Sequence, residues 1–339
     1  MNNASTPLER LYRREDLAPA QLEELFARLV EGELDPVLLA ALLVALKVKG
    51  ESGTEIAAAA RALRVAARPF RRPDYFFADC CGTGGDGAGT LNVSSGVALV
   101  AAACGLPIAK HGNRSVSSRS GSVDVLEALG VAVRAEPESD RRCLDEVGLC
   151  FLFAPDYHPG IAHAMPVRKT LATRTLFNVL GPLVNPACPP CQLVGVYAPE
   201  LVRPIGEALA LLGSERALVV HGSGLDEVAL HGPTTAARVV DGGVDVLTVT
   251  PADAGLVEQP LARLAGGDAP GNAAALEAVI AGGGNASYRN AIAINTGALL
   301  WVAGKTASLR DGAEAALSAI ATGEAMRRLG RLREIAHGA

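Results

Sequence analysis

Beyond Pro73 the chain alternates short apolar runs with stretches of helical periodicity, and that alternation restricts it to few folds. Runs at 75–81, 107–109, 131–133 and 149–153 read as strands. Helices at 94–104 and 122–129 lie between them, the second closed by Gly130. The pattern resumes with a strand at 192–197, a helix at 199–212 and a strand at 216–221. Strands separated by helices run parallel, because a parallel return needs a crossover, and the crossovers cover the sheet. Aromatic residues make up only 4% of the chain, so the core must be Ala, Leu and Val, which suits helices packed on a sheet. Segment 235–250 departs from the rule: Asp241-Gly242-Gly243 at its centre reads as a hairpin turn. The Ala-rich C-terminal stretch reads as helices over the sheet.

The first seventy residues follow a different grammar. Leu22, Leu25, Phe26, Leu29 and Val30 mark one buried helix face. Asp35-Pro36 caps and opens a second helix, which carries the longest apolar run, 38–46. Ser52 with Glu55 forms a capping box for a third, and Pro69 and Pro73 close the block. Residues 165–180 read as helical up to Gly181-Pro182 and return to this block. The expected fold class is therefore α/β: a small helical domain plus a larger α/β domain with a mostly parallel central sheet covered by helices. The helical domain is discontinuous, 1–72 and 162–188, and the α/β domain takes 73–161 and 189–339. A chain of 339 residues suits two domains and buries about three-quarters of its unfolded surface without staples.

Charge and composition exclude several classes of function. With 31 Lys and Arg against 36 Asp and Glu, the chain lacks an electrostatic grip on nucleic acid or an anionic membrane. No apolar run approaches the roughly 18 residues of a membrane span, and the N-terminus shows no signal-peptide pattern. Seven cysteines on irregular spacing point to reduced thiols and a cytoplasmic location.

Three loops carry chemistry. Gly82-Thr83-Gly84-Gly85-Asp86-Gly87 follows an apolar strand and precedes Asn92-Val93-Ser94-Ser95 and a helix. Glycines there let backbone N–H groups approach an anion, and the helix N-terminus adds a favourable dipole. The spacing is neither a Walker loop nor a dinucleotide fingerprint. Lys110-His111-Gly112-Asn113-Arg114-Ser115-Val116-Ser117-Ser118-Arg119 combines cations, glycine and hydroxyls after the next strand, the chemistry of a phosphate clamp. Asp226-Glu227 follows the strand at 216–221, and adjacent carboxylates suit a hard cation such as Mg²⁺ bridged to phosphate oxygens. Ligands of open α/β sheets sit at such strand ends.

Taken together and in this order, these motifs resemble those of the anthranilate phosphoribosyltransferases, which share the nucleoside phosphorylase/phosphoribosyltransferase-like fold. Residues 120–130, Ser-Gly-Ser-Val-Asp-Val-Leu-Glu-Ala-Leu-Gly, and 174–186, Arg-Thr-Leu-Phe-Asn-Val-Leu-Gly-Pro-Leu-Val-Asn-Pro, extend the likeness over nearly the whole chain. The resemblance implies transfer of a phosphoribosyl group from phosphoribosyl diphosphate to the amine of anthranilate, with diphosphate released and two Mg²⁺ ions engaged. It implies that Gly82, Gly85, Asp86, Thr90, Asn92, Val93, Ser94 and Ser95 line the phosphoribosyl diphosphate. Lys110, His111, Gly112, Asn113, Arg114, Ser115, Val116, Ser117, Ser118 and Ser122 would complete that site. Gly82, Asn113 and Arg168 would face anthranilate, and Ser94, Asp226 and Glu227 would hold metal. A homodimer through the helical domain is also what the resemblance implies; because the sequence opens on the helical block, the glutamine amidotransferase fused in some relatives is expected to be absent. No residue is assigned as acid or base, since an aromatic amine is already a neutral nucleophile; His111 reads as a buried, hydrogen-bonded histidine.

Two departures stand out: Cys80-Cys81 replaces the usual aliphatics, and Gly160 stands where many relatives carry alanine. Cys188-Pro189-Pro190-Cys191 has no second pair for zinc and reads as a loop, His158 and His163 lack metal spacing, and Arg327, Arg328, Arg331 and Arg333 read as a solvated helix face. A pyrimidine nucleoside phosphorylase would carry a Lys-Thr-Ser-Gly pattern in place of residues 82–86. A nucleic-acid-binding relative would show a basic groove and broken motifs.

Overall fold

A computed structural model describes residues 6–114, 120–133 and 136–337. Four helices open the chain: α1 (Pro7–Tyr12), α2 (Pro19–Val30), α3 (Pro36–Lys49) and α4 (Gly53–Val65). The sequence marks their starts. The Asp35 carboxylate accepts from the backbone N–H groups of Val37 and Leu38, and Ser52 with Glu55 closes the capping box of α4. Each such cap contributes about 1 kcal/mol.

The α/β part is one seven-stranded sheet in the order β3-β2-β1-β4-β5-β6-β7. Its strands are β1 (Ala78–Gly82), β2 (Ile108–Gly112), β3 (Leu149–Phe153), β4 (Cys191–Gly195), β5 (Arg216–Gly222), β6 (Thr234–Val240) and β7 (Gly243–Val249). Strands β1 to β5 pair in parallel, and β6 and β7 close the far edge as the expected antiparallel hairpin. Asp241 and Gly242 both take positive φ at its turn.

Helices α5 (Val93–Ala103), α6 (Ser122–Ala128) and α7 (Pro137–Val147) connect the first three strands. The chain then steps from β3 back across β1 to β4, so connections leave β1 and β4 in opposite directions and open a crevice at their C-terminal ends. β1 and β2 share a single register pair, Ala78 with Ile108, and diverge beyond it.

The core falls into two buried clusters. One gathers α5 with the later helices α12 (Ala269–Ile280), α13 (Ala286–Val302), α14 (Leu309–Ala321) and α15 (Glu324–His337) around one face of the sheet. The other joins α2 to α4 with α11 (Val202–Leu211) and the opposite-facing Val194, Val219 and Val239.

Several expectations need correction. Residues 131–133 form no strand; Val131 is buried, but β1 and β3 already occupy both edges of β2. The stretch 165–180 is not one helix. It divides into α9 (Met165–Leu171) and α10 (Phe177–Leu180), following the short α8 (Ala154–Tyr157) and a 3₁₀ turn, Pro159–Ala164. The break is Ala172, held in the left-handed region at φ 46°.

Arg328 and Arg333 are not on a solvated face. Arg328 donates to the Val147 carbonyl and Arg333 to that of Leu129, so α15 caps the C-terminal ends of α7 and α6 with positive charge. Gly160 has a steric reason: a Cβ there would stand 2.7 Å from both the Cβ and the carbonyl oxygen of Val30, at the end of α2. All seven cysteines are free thiols, and Cys191 is buried as the first residue of β4.

One buried acid lies apart from the crevice. Asp140 on α7 accepts a 2.6 Å hydrogen bond from the Tyr157 hydroxyl, and burial pushes its carboxyl up to about 7. Folding therefore binds a proton between the unfolded value, 3.8, and about 7, and stability falls as pH rises through that window. Asp140→Asn, which keeps an acceptor for Tyr157, is expected to raise Tm at pH 8 by about 1–2 °C for each kcal/mol relieved and to give no gain near pH 4. An equal shift at both pH values would contradict this account.

Candidate active site

The crevice is floored by the loop leaving β1. Gly84, Gly85, Gly87 and Gly89 all take positive φ, between 60° and 78°. Successive backbone turns of this kind make a concavity of N–H groups suited to anions. Gly82 is glycine for another reason: a Cβ there would lie 2.1 Å from Asp226 Oδ2. At Gly195, ending β4, a Cβ would overlap the Asp226 carbonyl oxygen at 1.5 Å. Asp226 is thus wedged between two strand ends that only glycine can provide, and its Oδ2 accepts from the Gly84 N–H at 2.7 Å. Asp86 accepts from Ala88 N at 3.0 Å, closing the loop on itself.

The start of α5 lies beside this loop. Asn92 donates to Ser120 O at 3.2 Å, accepts from Asn272 Nδ2 at 2.9 Å, and its carbonyl accepts from the Tyr288 hydroxyl at 3.0 Å. Thr90 bridges to Ala265, which brings the 265–267 segment to the rim. Val93 and Ser95 are buried, so toward the cleft they offer backbone and not side chain. Ser94 is different. Its hydroxyl accepts from Lys110 Nζ at 3.2 Å, and Lys110, 1% exposed, also donates to the Cys80 carbonyl.

Electrostatically the centre is overloaded with acid. Burial, with Asp86 as the nearest charge, pushes Asp226 up to about 7. Burial and then the Asp226 charge push Glu227 well above the usual carboxylate range. Lys110 is held protonated, above its ordinary value, because the surrounding negative charges outweigh its burial. The Asp226 and Glu227 carboxylates, with Asp86 near both, are oxygen donors of the kind a hard cation takes. Among the described residues no three acidic, His or Cys groups form a ready metal cage. A Mg²⁺ ion held by one or two carboxylates with phosphate oxygens completing its shell fits this arrangement.

The second loop behaves less uniformly than its composition suggests. His111 is buried, its Nδ1 hydrogen-bonded to the Gly181 carbonyl at 3.1 Å, and burial, then the neighbouring His158, drives it down to about 3. It is neutral at any working pH. Ser122 donates to Asn113 O at 3.2 Å and sits where a Cβ on Gly112 would collide with it. Arg114 is exposed and engaged with Glu127 and Asp124. Ser115, Val116, Ser117 and Ser118 lie outside the described residues.

Across the crevice stands α9. Arg168 is half-buried, its guanidinium carbon 5.1 Å from the Phe177 ring centroid, and burial alone lowers its pKa. It shares with Gly85, Asp86 and Thr90 one open cleft of about 1400 Å³, lined also by Asn178 and Asn272. Sequence reasoning missed Asn272, whose side chain ties residue 267 to Asn92, because nothing local marks it. It also left Arg174 without a role, although that residue opens one of the long motifs and lines the same cleft.

A mostly parallel sheet with a helical bundle at one side, and a phosphate-type loop backed by an acidic residue and facing a cationic helix, is the architecture of a glycosyl transferase. The glycosyl transferase family's helical bundle domain matches residues 6–67, and its a/b domain matches residues 74–326. The anthranilate phosphoribosyltransferase of Sorangium cellulosum is 57% identical over 316 residues, 93% of this chain and 91% of its own. That of Aeromonas salmonicida is 53% identical over 330 residues, 97% of this chain and 98% of its own. Among solved structures, the Thermus thermophilus anthranilate phosphoribosyltransferase matches with a TM-score of 0.92 and 43% identity, over 98% of this chain and 100% of that one. The Saccharomyces cerevisiae one, in complex with PRPP and Mg, matches with a TM-score of 0.88 and 29% identity, over 98% and 97%. The chain belongs to the anthranilate phosphoribosyltransferase family.

Proposed function

We propose that this enzyme transfers the phosphoribosyl group of 5-phospho-α-D-ribose 1-diphosphate to the amine of anthranilate. The products are N-(5-phosphoribosyl)anthranilate and diphosphate, in the second step of tryptophan biosynthesis from chorismate. One observation carries the reading: a single cleft sets a glycine loop, tied to Asp226 through the Gly84 N–H, against a half-buried arginine on a separate helical element. The family relationship supports it.

In this reading the N–H groups of residues 82–95 and the loop from Lys110 to Ser118 hold phosphoribosyl diphosphate, with Ser122 fixing that loop. Ser94, Asp226 and Glu227 hold Mg²⁺, two ions in all, which when bound neutralise the leaving diphosphate. Lys110 adds positive charge from beneath and orients the Ser94 hydroxyl. Arg168 pairs with the anthranilate carboxylate, and Asn113 and Gly82 border its ring. The anomeric carbon gains positive character as diphosphate departs, and the neutral amine attacks it. No strong base is needed; His111, held neutral by burial, is not assigned one. We place anthranilate with a discontinuous helical domain (1–72, 162–188) and phosphoribosyl diphosphate with the α/β domain (73–161, 189–339). Two copies pair through the helical domain, whose outer surface leaves Tyr12, Val37 and Val48 exposed, in the cytoplasm.

Anthranilate fluorescence tests the reaction. Its loss is expected only when phosphoribosyl diphosphate and Mg²⁺ are both added to the purified protein. Metal-independent turnover, or phosphorolysis of a pyrimidine nucleoside instead, would refute the assignment.

A further inference from the structure

One cationic side chain in the cleft is left without a task by the reaction as described. Arg174 lies in the 172–176 link that separates α9 from α10, two residues after the left-handed Ala172. Its guanidinium carbon sits 4.1 Å from the centroid of the Tyr197 ring, and its Nη2 donates to the Gly85 carbonyl across the cleft. Among the described residues it has no carboxylate partner.

We propose that Arg174 is a positioning residue that couples the two substrate subsites. It would do so by holding the glycine loop from the helical side.

Three features of the geometry support this. Every described peptide bond is trans, so the Gly85 carbonyl and the Asp86 N–H point in opposite directions from one plane. Fixing the carbonyl therefore fixes where that N–H aims. Gly85 has φ 78° and no side chain of its own, so without an outside contact this peptide is free to rotate. The platform beneath Arg174 is also tied to the loop. Tyr197 N donates to Thr83 Oγ1 at 3.1 Å, and Thr83 N donates to the Gly195 carbonyl at 2.9 Å. Arg174 thus spans from the segment carrying Arg168 to a loop whose other end is pinned.

A ligand that orders Arg168 and the link after it orders the Gly85 peptide as well. Coupling of this kind is reciprocal: each ligand tightens the other by the same factor. The inference rests on the reading of the two subsites given above.

Calorimetric titration of Mg²⁺-diphosphate, with and without saturating anthranilate, measures the coupling without turnover. Anthranilate is expected to tighten diphosphate about tenfold in the unaltered enzyme. In Arg174→Ala that ratio is expected to fall to near one, while each ligand alone binds within about threefold of its original Kd. Arg174→Lys, keeping one donor but not the stacked plane, is expected to recover part of the ratio. A tenfold ratio that survives in the Ala variant overturns the proposal, as does a ratio of one in the unaltered enzyme. Loss of anthranilate binding itself in the Ala variant would instead make Arg174 a direct substrate contact, which also overturns it. Failure of the unaltered enzyme to bind either ligand would sink the functional reading on which the proposal stands.

Discussion

Replacing Asp226 and Glu227 together by Ala is expected to lower kcat by roughly 10²–10³, the scale on which preorganised charge stabilisation is lost at a reacting centre. The Mg²⁺ concentration giving half-maximal rate is expected to rise in the same variant. The fold survives, because both residues follow β5 on a loop and the ladder of β5 with β4 and β6 does not use their side chains. A pH signature accompanies the effect in the unaltered enzyme. Without a cation Asp226 stands near 7, so proton and Mg²⁺ compete for the same carboxylate. The Mg²⁺ requirement is expected to climb as pH falls below 7, and the variant loses that dependence. Unchanged Mg²⁺ dependence at the original rate would remove the pair from the metal site.

Arg168→Ala is expected to reduce kcat/KM for anthranilate by about ten- to a hundredfold. A hydrogen bond between charged groups contributes roughly 1.5–3 kcal/mol, and the guanidinium matches the two oxygens of a carboxylate. The KM for phosphoribosyl diphosphate is expected to move far less, since the loop after β1 lies on the opposite wall. Lysine recovers only part of the loss, offering a point charge and no fork. A rise in the phosphoribosyl diphosphate KM with the anthranilate KM unmoved would assign Arg168 to the other substrate.

What could be read from the sequence follows the range of the interactions involved. The Asp35 and Ser52 caps and the Asp241-Gly242 turn are short-range, and each stands where its residues announce it. The break at Ala172 has no local signal; an alanine in the left-handed region is held there by its surroundings, and neither Gly nor Pro marks it. Arg328 and Arg333 look like a solvent-facing stripe because their partners, Val147 and Leu129, are distant in the chain. The same reason hid Asn272 and Arg174. In the acidic centre the sequence supplies the pair, but only the strand ends at Gly82 and Gly195 explain how Asp226 is set between them.

The divergence of β1 from β2 has a consequence for how this enzyme tolerates change. Beyond Ala78 and Ile108 the strands are joined by side chains: Lys110 reaches the Cys80 carbonyl, and Asp79 accepts from the His111 N–H while Asn185 bridges Asp79 to the Ala109 carbonyl. Functional groups are ordinarily a burden on stability, and removing them relaxes the protein. In this sheet the seam is stitched by buried side chains, one of which, Lys110, also reaches the Ser94 hydroxyl of the site. Asp226, Glu227 and Arg168 can be lost with the fold intact, but at Lys110 a change that discards the reaction also loosens the sheet, so function and scaffold are tied at that one ammonium.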